Sequence, residues 1–258
     1  SFSTISELLT PTKLVMLINQ YLTLAAEPIL THDGMIDQFI GDAVTAFWGP
    51  PFVSETEHAK RACWAALEQL TQLVKLRRLL PEIMGIRKGL PEIHIRIGLA
   101  TGELVAGSIG SEQSKSYTVL GAPMQIAEYL EGANKRYGTT ILMTETTQKA
   151  AAEAIVTRPI ERLILPGQST PSTIYELLDT PGNLTAQQED LQMRFSLGLS
   201  AYWLQDWDIA QSHFAACSAI APQDRATQLY LERIHILRQY SPGANWDGVW
   251  RESDRCFQ

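Results

Sequence analysis

A two-residue Gly-Asp turn between two short apolar runs constrains the fold of this chain more than any other feature. The apolar runs cover residues 35–40 and 43–48, and Gly41 and Asp42 stand between them. This pattern predicts a β-hairpin, because glycine accepts the backbone conformation that so tight a turn requires. Gly49 and two prolines follow the second run and end it, since proline cannot donate to a strand ladder.

Helices and further strands are predicted on both sides of the hairpin. Apolar residues at helical spacing predict one helix that ends near residue 30 and a second over about 55–80. Shorter runs predict strands at 93–99, 102–110, 116–120, 140–143 and 174–178, with a helix from Pro123 between the third and the fourth. This order of elements predicts an α+β fold, in which helices cover a sheet that is rich in antiparallel strands.

The composition changes beyond residue 178. Residues 179–186 contain proline, glycine and asparagine and predict a linker. In the following segment, 187–258, several residues fall at the spacing of a tetratricopeptide repeat: Leu197, Gly198, Ala210, Phe214, Cys217 and Pro222. Arg194 stands where the repeat has tryptophan, and the tyrosine is displaced by one position to Tyr202. We predict a small helical tail with one repeat-like hairpin, which serves either as a structural cap or as a site for a protein partner.

The composition also excludes one class of function. Charged residues make up 19% of the chain and hydrophobic residues 45%, which is typical of a globular protein. The formal net charge of -7 argues against a general nucleic-acid-binding surface, because such a surface requires clustered positive charge. A local site for one nucleotide is compatible with this charge.

Cysteine spacing and hydropathy indicate the compartment. Cys63 and Cys217 predict buried thiols, Cys256 lies near the end, and the absence of close pairs is typical of a reducing compartment. The sequence has no signal peptide and no uninterrupted apolar run long enough for a transmembrane helix, so we expect a cytoplasmic location. Because the sequence opens at Ser1 within a recognisable pattern, we expect a piece of a longer protein, such as the cytoplasmic part of a membrane-anchored or sensor protein.

Four short motifs occur in a fixed order along residues 1–178. They read FSTISE at 2–7, GMIDQFIGDA at 34–43, IRIG at 95–98 followed by Thr101-Gly102, and YTVLG at 117–121. Together they resemble the successive signatures of class III adenylyl and guanylyl cyclases. The resemblance implies a ferredoxin-like class III nucleotidyl cyclase domain over 1–178, whose first strand is missing at the N-terminus.

The resemblance also implies a reaction and an assembly. In this family the ribose 3′-hydroxyl attacks the α-phosphate and pyrophosphate leaves, which for ATP gives cyclic AMP by phosphorus–oxygen lyase chemistry. Charge grows on the transferring phosphate, so the site requires metal ions and cationic donors. The family's sites lie at a head-to-tail dimer interface. We therefore expect a homodimer, or a heterodimer with another cyclase domain, that binds ATP or another purine nucleoside triphosphate in cyclic-nucleotide signalling.

The resemblance assigns two Mg²⁺ or Mn²⁺ ions to a pair of aspartates. Asp42 matches the second aspartate and is a hard oxygen ligand of the kind that Mg²⁺ prefers. The alternative is an aspartate that only satisfies amides of the turn. Ile40 matches a backbone-carbonyl contact to the metal. The first aspartate is expected a few residues upstream of Ser1.

The positions that hold the substrate are partly changed. Gln38 stands where adenine-specific members carry lysine, whereas Thr118 matches the subgroup that reads the base with threonine. Lys115 either reaches triphosphate oxygens or is an ordinary solvated lysine of the loop before the last motif. Gln125 replaces the asparagine, and Tyr129 the arginine, that contact the transition state in the family. Loss of one preorganised donor at such a site typically costs about a hundred- to a thousand-fold in rate.

Three interpretations follow from the retained and the changed positions. The first is an adenylate cyclase-like domain whose own homodimer is weak or inactive. The second is the metal-donating half of a heterodimeric cyclase, whose partner supplies the missing side chains. The third is a catalytically inactive pseudo-cyclase that acts as a dimerisation or signalling module. Asp42, Gln125 and Tyr129 are compatible with all three, so the sequence leaves enzymatic activity undecided.

Overall fold

The computed structural model describes residues 9–85 and 92–251, which belong to two compact units. The first unit comprises the chain up to residue 95 together with residues 104–120. The second unit comprises residues 96–103 and the chain from residue 121 onward.

The described residues form helices and strands that are numbered here in chain order. They are α1 (Pro11–Thr31), β1 (Met35–Ile40), β2 (Ala43–Phe47), α2 (His58–Met84), β3 (Ile97–Leu99), β4 (Val105–Gly110), β5 (Lys115–Leu120), α3 (Ala122–Tyr137), β6 (Ile141–Thr144), α4 (Glu145–Ala151), β7 (Val156–Leu163), β8 (Ser172–Asp179), α5 (Ala186–Trp203), α6 (Trp207–Ile220) and α7 (Arg225–Gln239). A 3₁₀ turn at Ala152–Ala154 follows α4.

Helices α1 and α2 of the first unit pack against each other over a small apolar core. The buried members of this core are Leu17, Leu73, Leu76, Leu80, Met84 and Ile93. By length and composition alone, α1 is apolar enough to cross a membrane, a property that core helices of soluble proteins share. Leu17, Ala25 and Ile29 of α1 are buried within the protein, whereas Val15, Met16 and Leu30 are exposed.

Two antiparallel hairpins supply the strands of the first unit. β1 pairs with β2, with Ile40 opposite Ala43, and Gly41 in the turn has a φ of 63°. An L-residue with a side chain rarely adopts this conformation, which explains the glycine. The predicted Gly-Asp hairpin is therefore confirmed. β4 and β5 pair in the same way, with Val105 opposite Leu120.

A β-bulge interrupts β1 just before Gln38. Ile36 pairs with Ala46 and Gln38 pairs with Thr45, so Asp37 is an additional residue without a partner position on β2. A bulge re-aims the side chains of the strand that carries it, and bulges are over-represented next to active sites. The bulge therefore gives the Asp37 side chain a direction that regular strand alternation does not predict.

A four-stranded sheet in the order β3-β6-β8-β7 forms the framework of the second unit. β3 and β6 are parallel, and the other neighbouring pairs are antiparallel. α3 approaches β3 most closely at Gly98, where a Cβ atom would lie 1.9 Å from the Ala127 carbonyl oxygen. The Asn134 side-chain amide on α3 donates to the Ile97 carbonyl oxygen over 2.9 Å. Helices over antiparallel-rich strands confirm the predicted α+β class.

β7 is a strand that the sequence patterns do not predict. Its sequence contains Pro159 and the charged residues Arg158 and Glu161. β7 lies at an edge of its sheet, where proline is tolerated, and the side chains of Arg158 and Glu161 are buried whereas that of Arg162, the third charged residue, is partly exposed. The strand predicted over 93–99, in contrast, is limited to Ile97–Leu99.

A buried carboxylate on β7 joins α3 to α7. The Glu161 carboxylate lies 2.8 Å from the Arg233 guanidinium and accepts a hydrogen bond from the hydroxyl of Tyr137, at the end of α3. Burial raises the pKa of Tyr137 well above its ordinary value, and the Glu161 carboxylate adds to this increase. Burial alone would lower the pKa of Arg233, but Glu161 outweighs it and the pKa is raised. The Arg233 guanidinium is therefore charged in the folded protein.

A second buried arginine joins the sheet to the start of α7. Arg158 lies 2.6 Å from Glu176 of β8 and binds both carboxylate oxygens of Asp224, the N-cap of α7, at 2.6 and 3.2 Å. Burial alone would raise the pKa of Asp224, but hydrogen bonds from Arg158 and Thr227 lower it below its ordinary value. The Arg158 guanidinium also lies 4.7 Å from the ring of Phe195 on α5.

Helices α5 to α7 share one hydrophobic core with α3 and the sheet. Its fully buried members include Leu130, Leu142, Ile160, Ile174, Phe195, Leu199, Ala210, Phe214, Cys217 and Ala226. α5 and α6 approach closely at Gly198, where a Cβ atom would lie 3.2 Å from the ring of Phe214. Phe214 in turn stacks on Tyr230 of α7, with ring centroids 5.0 Å apart. The domain limits predicted at residues 178 and 187 stay predictions, and residues on both sides contribute to this core.

The cysteines behave as small apolar residues. Cys63 and Cys217 are buried free thiols, as predicted. Burial raises the pKa of the Cys63 thiol to about 12 and that of Cys217 to about 11, so both remain protonated near neutral pH. Cys256 lies outside the described residues.

Candidate functional site

The predicted metal-binding residues lie at the tip of the β1-β2 hairpin. Asp42 is in the turn and Ile40 is the last residue of β1, and both are exposed. An exposed carboxylate on a short turn of fixed geometry offers the hard oxygen that Mg²⁺ prefers. Within residues 9–85 and 92–251, no group of three or more histidine, cysteine, aspartate or glutamate side chains could hold a metal ion.

The first cyclase-like motif lies outside the described residues. It covers residues 2–7, and the first metal aspartate was expected still further upstream. The candidate site is thus described from the second motif onward.

Thr118, predicted to read the purine base, makes a specific contact in the first unit. Its hydroxyl donates a hydrogen bond to Oδ1 of Asp37, the bulge residue of β1, over 2.5 Å. Gln38, the other predicted base-reading residue, follows Asp37 directly and has an exposed side chain. The structure thus brings Thr118 next to the strand that carries Gln38.

The sequence patterns do not identify Asp37 as a site residue, although it lies inside the second motif. Its contact with Thr118 joins residues 81 positions apart in the sequence, so no local spacing could reveal it. The one signal available was a charged residue in a largely apolar strand segment. Such a residue is exposed in most strands, and here it is partly buried and bonded.

Aromatic rings fix β5 beside the first hairpin. Tyr117 lies 6.4 Å from Phe47 of β2 and 6.2 Å from Phe52, measured between ring centroids. Such tilted and edge-to-face pairs hold neighbouring strands in a defined orientation. Opposite Thr118 on β4 stands Gly107, where a Cβ atom would meet no other atom within 4 Å. The face of the hairpin beside the Thr118 hydroxyl is therefore open.

Lys115 is placed differently from the sequence-based expectation. It was predicted in the loop before the last motif, but it is the first residue of β5 and pairs with Gly110 of β4. Gly110 has a φ of 150°, and a Cβ atom there would lie 2.1 Å from the Ser114 carbonyl oxygen, so this end of the hairpin requires glycine. The side chain of Lys115 is exposed, so it can still reach a bound anion.

The two predicted transition-state positions lie on the exposed face of α3, in the second unit. Gln125 and Tyr129 are one helical turn apart, and both line a surface cavity of about 470 Å³. Glu128, Gly132 and Arg136 line the same cavity. The helix presents this face because its opposite face, with Ile126, Leu130 and Asn134, is buried.

Tyr129 changes what this helix face can do chemically. A phenol offers one hydroxyl, whereas arginine offers a permanent positive charge and a planar set of donors that matches phosphate oxygens. Tyr129 is 41% exposed, and Glu128 beside it adds a negative charge. Arg136 lies almost two turns further along the helix. The face around Tyr129 is therefore poorly suited to stabilise negative charge.

Comparison with protein families gives a match over most of the chain. The family model described as the adenylate and guanylate cyclase catalytic domain matches residues 1–195. A relative, adenylate cyclase 1 of Rhizobium meliloti (strain 1021), is 37% identical over 180 residues, which is 69% of this chain. The chain spans 26% of the length of that relative.

Solved structures give the same result at the level of the fold. The adenylyl cyclase CyaB from P. aeruginosa superposes with a TM-score of 0.62 at 27% identity, covering 71% of this chain and 91% of that chain. The guanylyl cyclase Cya2 superposes with a TM-score of 0.60 at 30% identity, covering 71% of this chain and 90% of that chain. One neighbour is an adenylyl cyclase and the other is a guanylyl cyclase, so the fold alone does not distinguish between these two activities.

Proposed function

The chain belongs to the adenylate and guanylate cyclase catalytic domain family, and on that premise we propose that it is an adenylate cyclase-like domain of low intrinsic turnover. It binds ATP or another purine nucleoside triphosphate. Its own homodimer forms cyclic AMP and pyrophosphate slowly or not at all, in cyclic-nucleotide signalling.

The contrast between Asp42 and Tyr129 carries this proposal. Asp42 keeps an exposed carboxylate at the hairpin tip, where a metal-bound triphosphate can reach it. Tyr129 puts a neutral phenol where the family's arginine meets the transition state. Removing one preorganised donor costs about a hundred- to a thousand-fold in rate, and here a positive charge is lost as well. Binding is therefore retained better than turnover.

Divalent metals complete the proposed site. The carboxylate of Asp42 and the backbone carbonyl of Ile40 would hold Mg²⁺ or Mn²⁺ together with substrate phosphates and ligands from outside the described residues. When bound, such ions polarise the α-phosphate and neutralise charge on the leaving pyrophosphate.

The other site residues bind and orient the nucleotide. Thr118 and Gln38 contact the purine base, and Lys115 provides a positive charge for the triphosphate. Gln125 offers an amide to the ribose or the phosphate from the first turn of α3. The helix is held in place by the Gly98 contact and by the Asn134 hydrogen bond to Ile97, which keeps Gln125 and Tyr129 in a fixed orientation.

A second candidate is the metal-donating half of a heterodimeric cyclase. The same contrast favours it, because the retained residue donates to metals while the changed ones read the base and contact the transition state. A partner cyclase domain with lysine, asparagine and arginine at those positions would complete one active site per dimer. A pseudo-cyclase that dimerises without turnover is the alternative when no partner restores activity.

The helical tail belongs to the proposal as well. We propose that α5 and α6 form a tetratricopeptide-like hairpin, supported by the close approach of Gly198 and Phe214 and by the burial of Ala210 and Cys217. The exposed side chain of Leu204, in the turn after α5, is available to a protein partner. A cytoplasmic location is proposed with it, on the two reduced, buried thiols.

Cyclic AMP formation by the purified chain with Mn²⁺ and ATP tests the proposal. We expect ATP to bind and the rate to be at least about a hundredfold below that of a family member with arginine at the position of Tyr129. Mixing the chain with a family member whose metal aspartates are replaced should restore activity if the chain is a metal-donating half. A full rate without a partner would contradict low turnover, and failure to bind any purine nucleotide would refute the site itself.

A further inference from the structure

The hydrogen bond between Thr118 and Asp37 fixes the direction of a hydroxyl in the proposed base-reading site. A threonine hydroxyl has one hydrogen to donate and lone pairs to accept. Here the hydrogen is directed to Oδ1 of Asp37 over 2.5 Å, a short contact of the kind expected for a hydroxyl and a carboxylate. What the Thr118 oxygen presents to any further ligand is therefore its lone pairs.

Gln38, the neighbouring base-reading residue, has no fixed polarity. Its exposed amide can turn so that either the NH₂ group or the carbonyl oxygen faces a ligand. It can thus pair with a 6-amino or a 6-oxo purine equally well. Thr118 therefore discriminates between these two classes of base, because the direction of its hydroxyl hydrogen is fixed.

The face of the hairpin beside Thr118 is open at the residue opposite it. Residues directly opposite each other in an antiparallel pair have side chains on the same face. The residue opposite Thr118 is Gly107, and a Cβ atom built there would meet nothing within 4 Å. The edge of a base can therefore approach the Thr118 oxygen from this side without meeting a side chain at residue 107.

We propose that Asp37 determines the purine specificity of this site, because by holding the Thr118 hydrogen it makes the site accept a hydrogen bond from a 6-amino purine. This inference rests on the proposed function. Adenine donates from its 6-amino group to the Thr118 oxygen. A 6-oxo purine such as hypoxanthine or guanine would bring an acceptor against an acceptor, close to a carboxylate, and this arrangement opposes binding. Asp37 acts on the base through Thr118 and is a positioning residue.

The test compares ATP and ITP, which differ on this edge at the 6-position and in the protonation of the adjacent ring nitrogen. Dissociation constants are measured for the 258-residue chain with Mn²⁺, by displacement of a fluorescent purine nucleotide. We expect the chain to prefer ATP by about tenfold or more, and Asp37→Ala to reduce this preference to about threefold or less, because the freed hydroxyl can then donate to a 6-oxo group. A residue with a purely structural role would weaken both nucleotides by the same factor.

Matched variants separate specificity from charge and folding. Glu112→Ala removes the same charge from the exposed β4-β5 turn and should leave the ratio unchanged. Thr118→Val, nearly equal in shape, should lose the preference, and Thr118→Ser should keep it. If Asp37→Ala does not fold, Asp37→Asn replaces it, because its side-chain amide can donate to the Thr118 oxygen and should also reduce the preference for ATP.

Each result bears on a different statement. An unchanged ATP-to-ITP ratio in Asp37→Ala, whatever Thr118→Val does, or a preference for ITP in the parent chain, would overturn the inference while leaving a nucleotide site in place. Failure of both nucleotides to bind would refute the proposed function, and the inference with it.

Discussion

Gly98 of β3 faces the Ala127 carbonyl of α3 so closely that a methyl group on Gly98 would lie 1.9 Å from its oxygen. The same methyl would lie 2.6 Å from the Glu131 amide nitrogen. Both neighbours are backbone atoms and cannot move aside as the end of a flexible side chain can. The position of α3, and of Gln125 and Tyr129 on it, therefore depends on the absence of a side chain at residue 98.

Gly98→Ala should displace α3 and destabilise the protein. Overpacking of this kind typically costs about 1–3 kcal/mol, which urea unfolding followed by circular dichroism would measure. Gly107→Ala is the matched control, since its new methyl group meets open space and should change the free energy of unfolding by less than about 0.5 kcal/mol. Equal losses in the two variants would show that β3 and α3 are not in close contact.

Asp42→Asn should weaken metal-dependent nucleotide binding without changing stability. The amide is a poorer ligand for a hard divalent ion, so we expect the affinity for ATP with Mn²⁺ to fall about tenfold or more. Asp42 is exposed, which is why the melting temperature should be unaffected. Glu55→Gln, at another exposed carboxylate, provides the control. Unchanged Mn²⁺-dependent binding in Asp42→Asn would support the alternative of an aspartate that serves only the turn.

Tyr129→Arg should raise cyclic AMP formation. The guanidinium restores a positive charge and several donors on the exposed face of α3, and Tyr129 is open enough to solvent to be replaced without repacking. We expect an increase of about tenfold or more in kcat, measured with Mn²⁺ and ATP. Tyr129→Phe removes the hydroxyl without adding charge and should not increase the rate. An unaltered rate in Tyr129→Arg would favour the pseudo-cyclase interpretation.

Arg233→Met should destabilise the second unit strongly. It leaves the Glu161 carboxylate buried without its cationic partner, which typically costs about 3–5 kcal/mol. Adding Glu161→Gln to the same chain should recover part of this loss, because the uncompensated charge is then removed. Arg238→Met provides the control, since Arg238 pairs with Asp208 at the surface and such pairs contribute about 0–1 kcal/mol. A similar small loss in both arginine variants would contradict the importance of the buried pair.

Acid should destabilise the protein in part through Asp224. Its pKa in the folded protein lies below the ordinary value of about 3.9, so its contribution is present above that pH and is lost as the pH falls through the lower, folded value. Asp224→Asn should therefore be less stable than the parent at pH 7 and lose less stability between about pH 5 and 3. Urea midpoints across this range would measure both effects. Parallel pH profiles for the two chains would show that Asp224 is not held by Arg158 and Thr227.

Local patterns predicted those elements whose cause is local. The β1-β2 hairpin follows from Gly41, whose positive φ is a property of one residue, and α3 follows from a glycine, a proline and apolar spacing within one segment. The order of the motifs and the α+β class could be recognised for the same reason. Lys115 was misplaced by one element because strand ends depend on the register with Gly110, which is a property of two strands.

Elements that depend on distant partners could not be predicted. β7 has proline and three charged residues, and two of these, Glu161 and Arg158, are buried against Arg233 and Asp224, which lie more than sixty positions later. The role of Asp37 depends on a bulge in β1 and on Thr118 of β5. Pairing across the fold, and not residue type, makes these polar side chains compatible with a partly or fully buried position.

The division of the chain between the two units has a consequence for synthesis on the ribosome. The first unit is interrupted by residues 96–103 and is complete in sequence only at residue 120. β3, within that interruption, pairs with β6, which begins at Ile141, so the strand must wait until more than forty further residues have been made. A chain synthesised as far as residue 140 thus contains both segments of the first unit and an unpaired strand of the second. No contiguous segment of the sequence encodes one whole unit without residues of the other. A truncated or recombined chain that keeps one whole unit therefore also contains residues of the other.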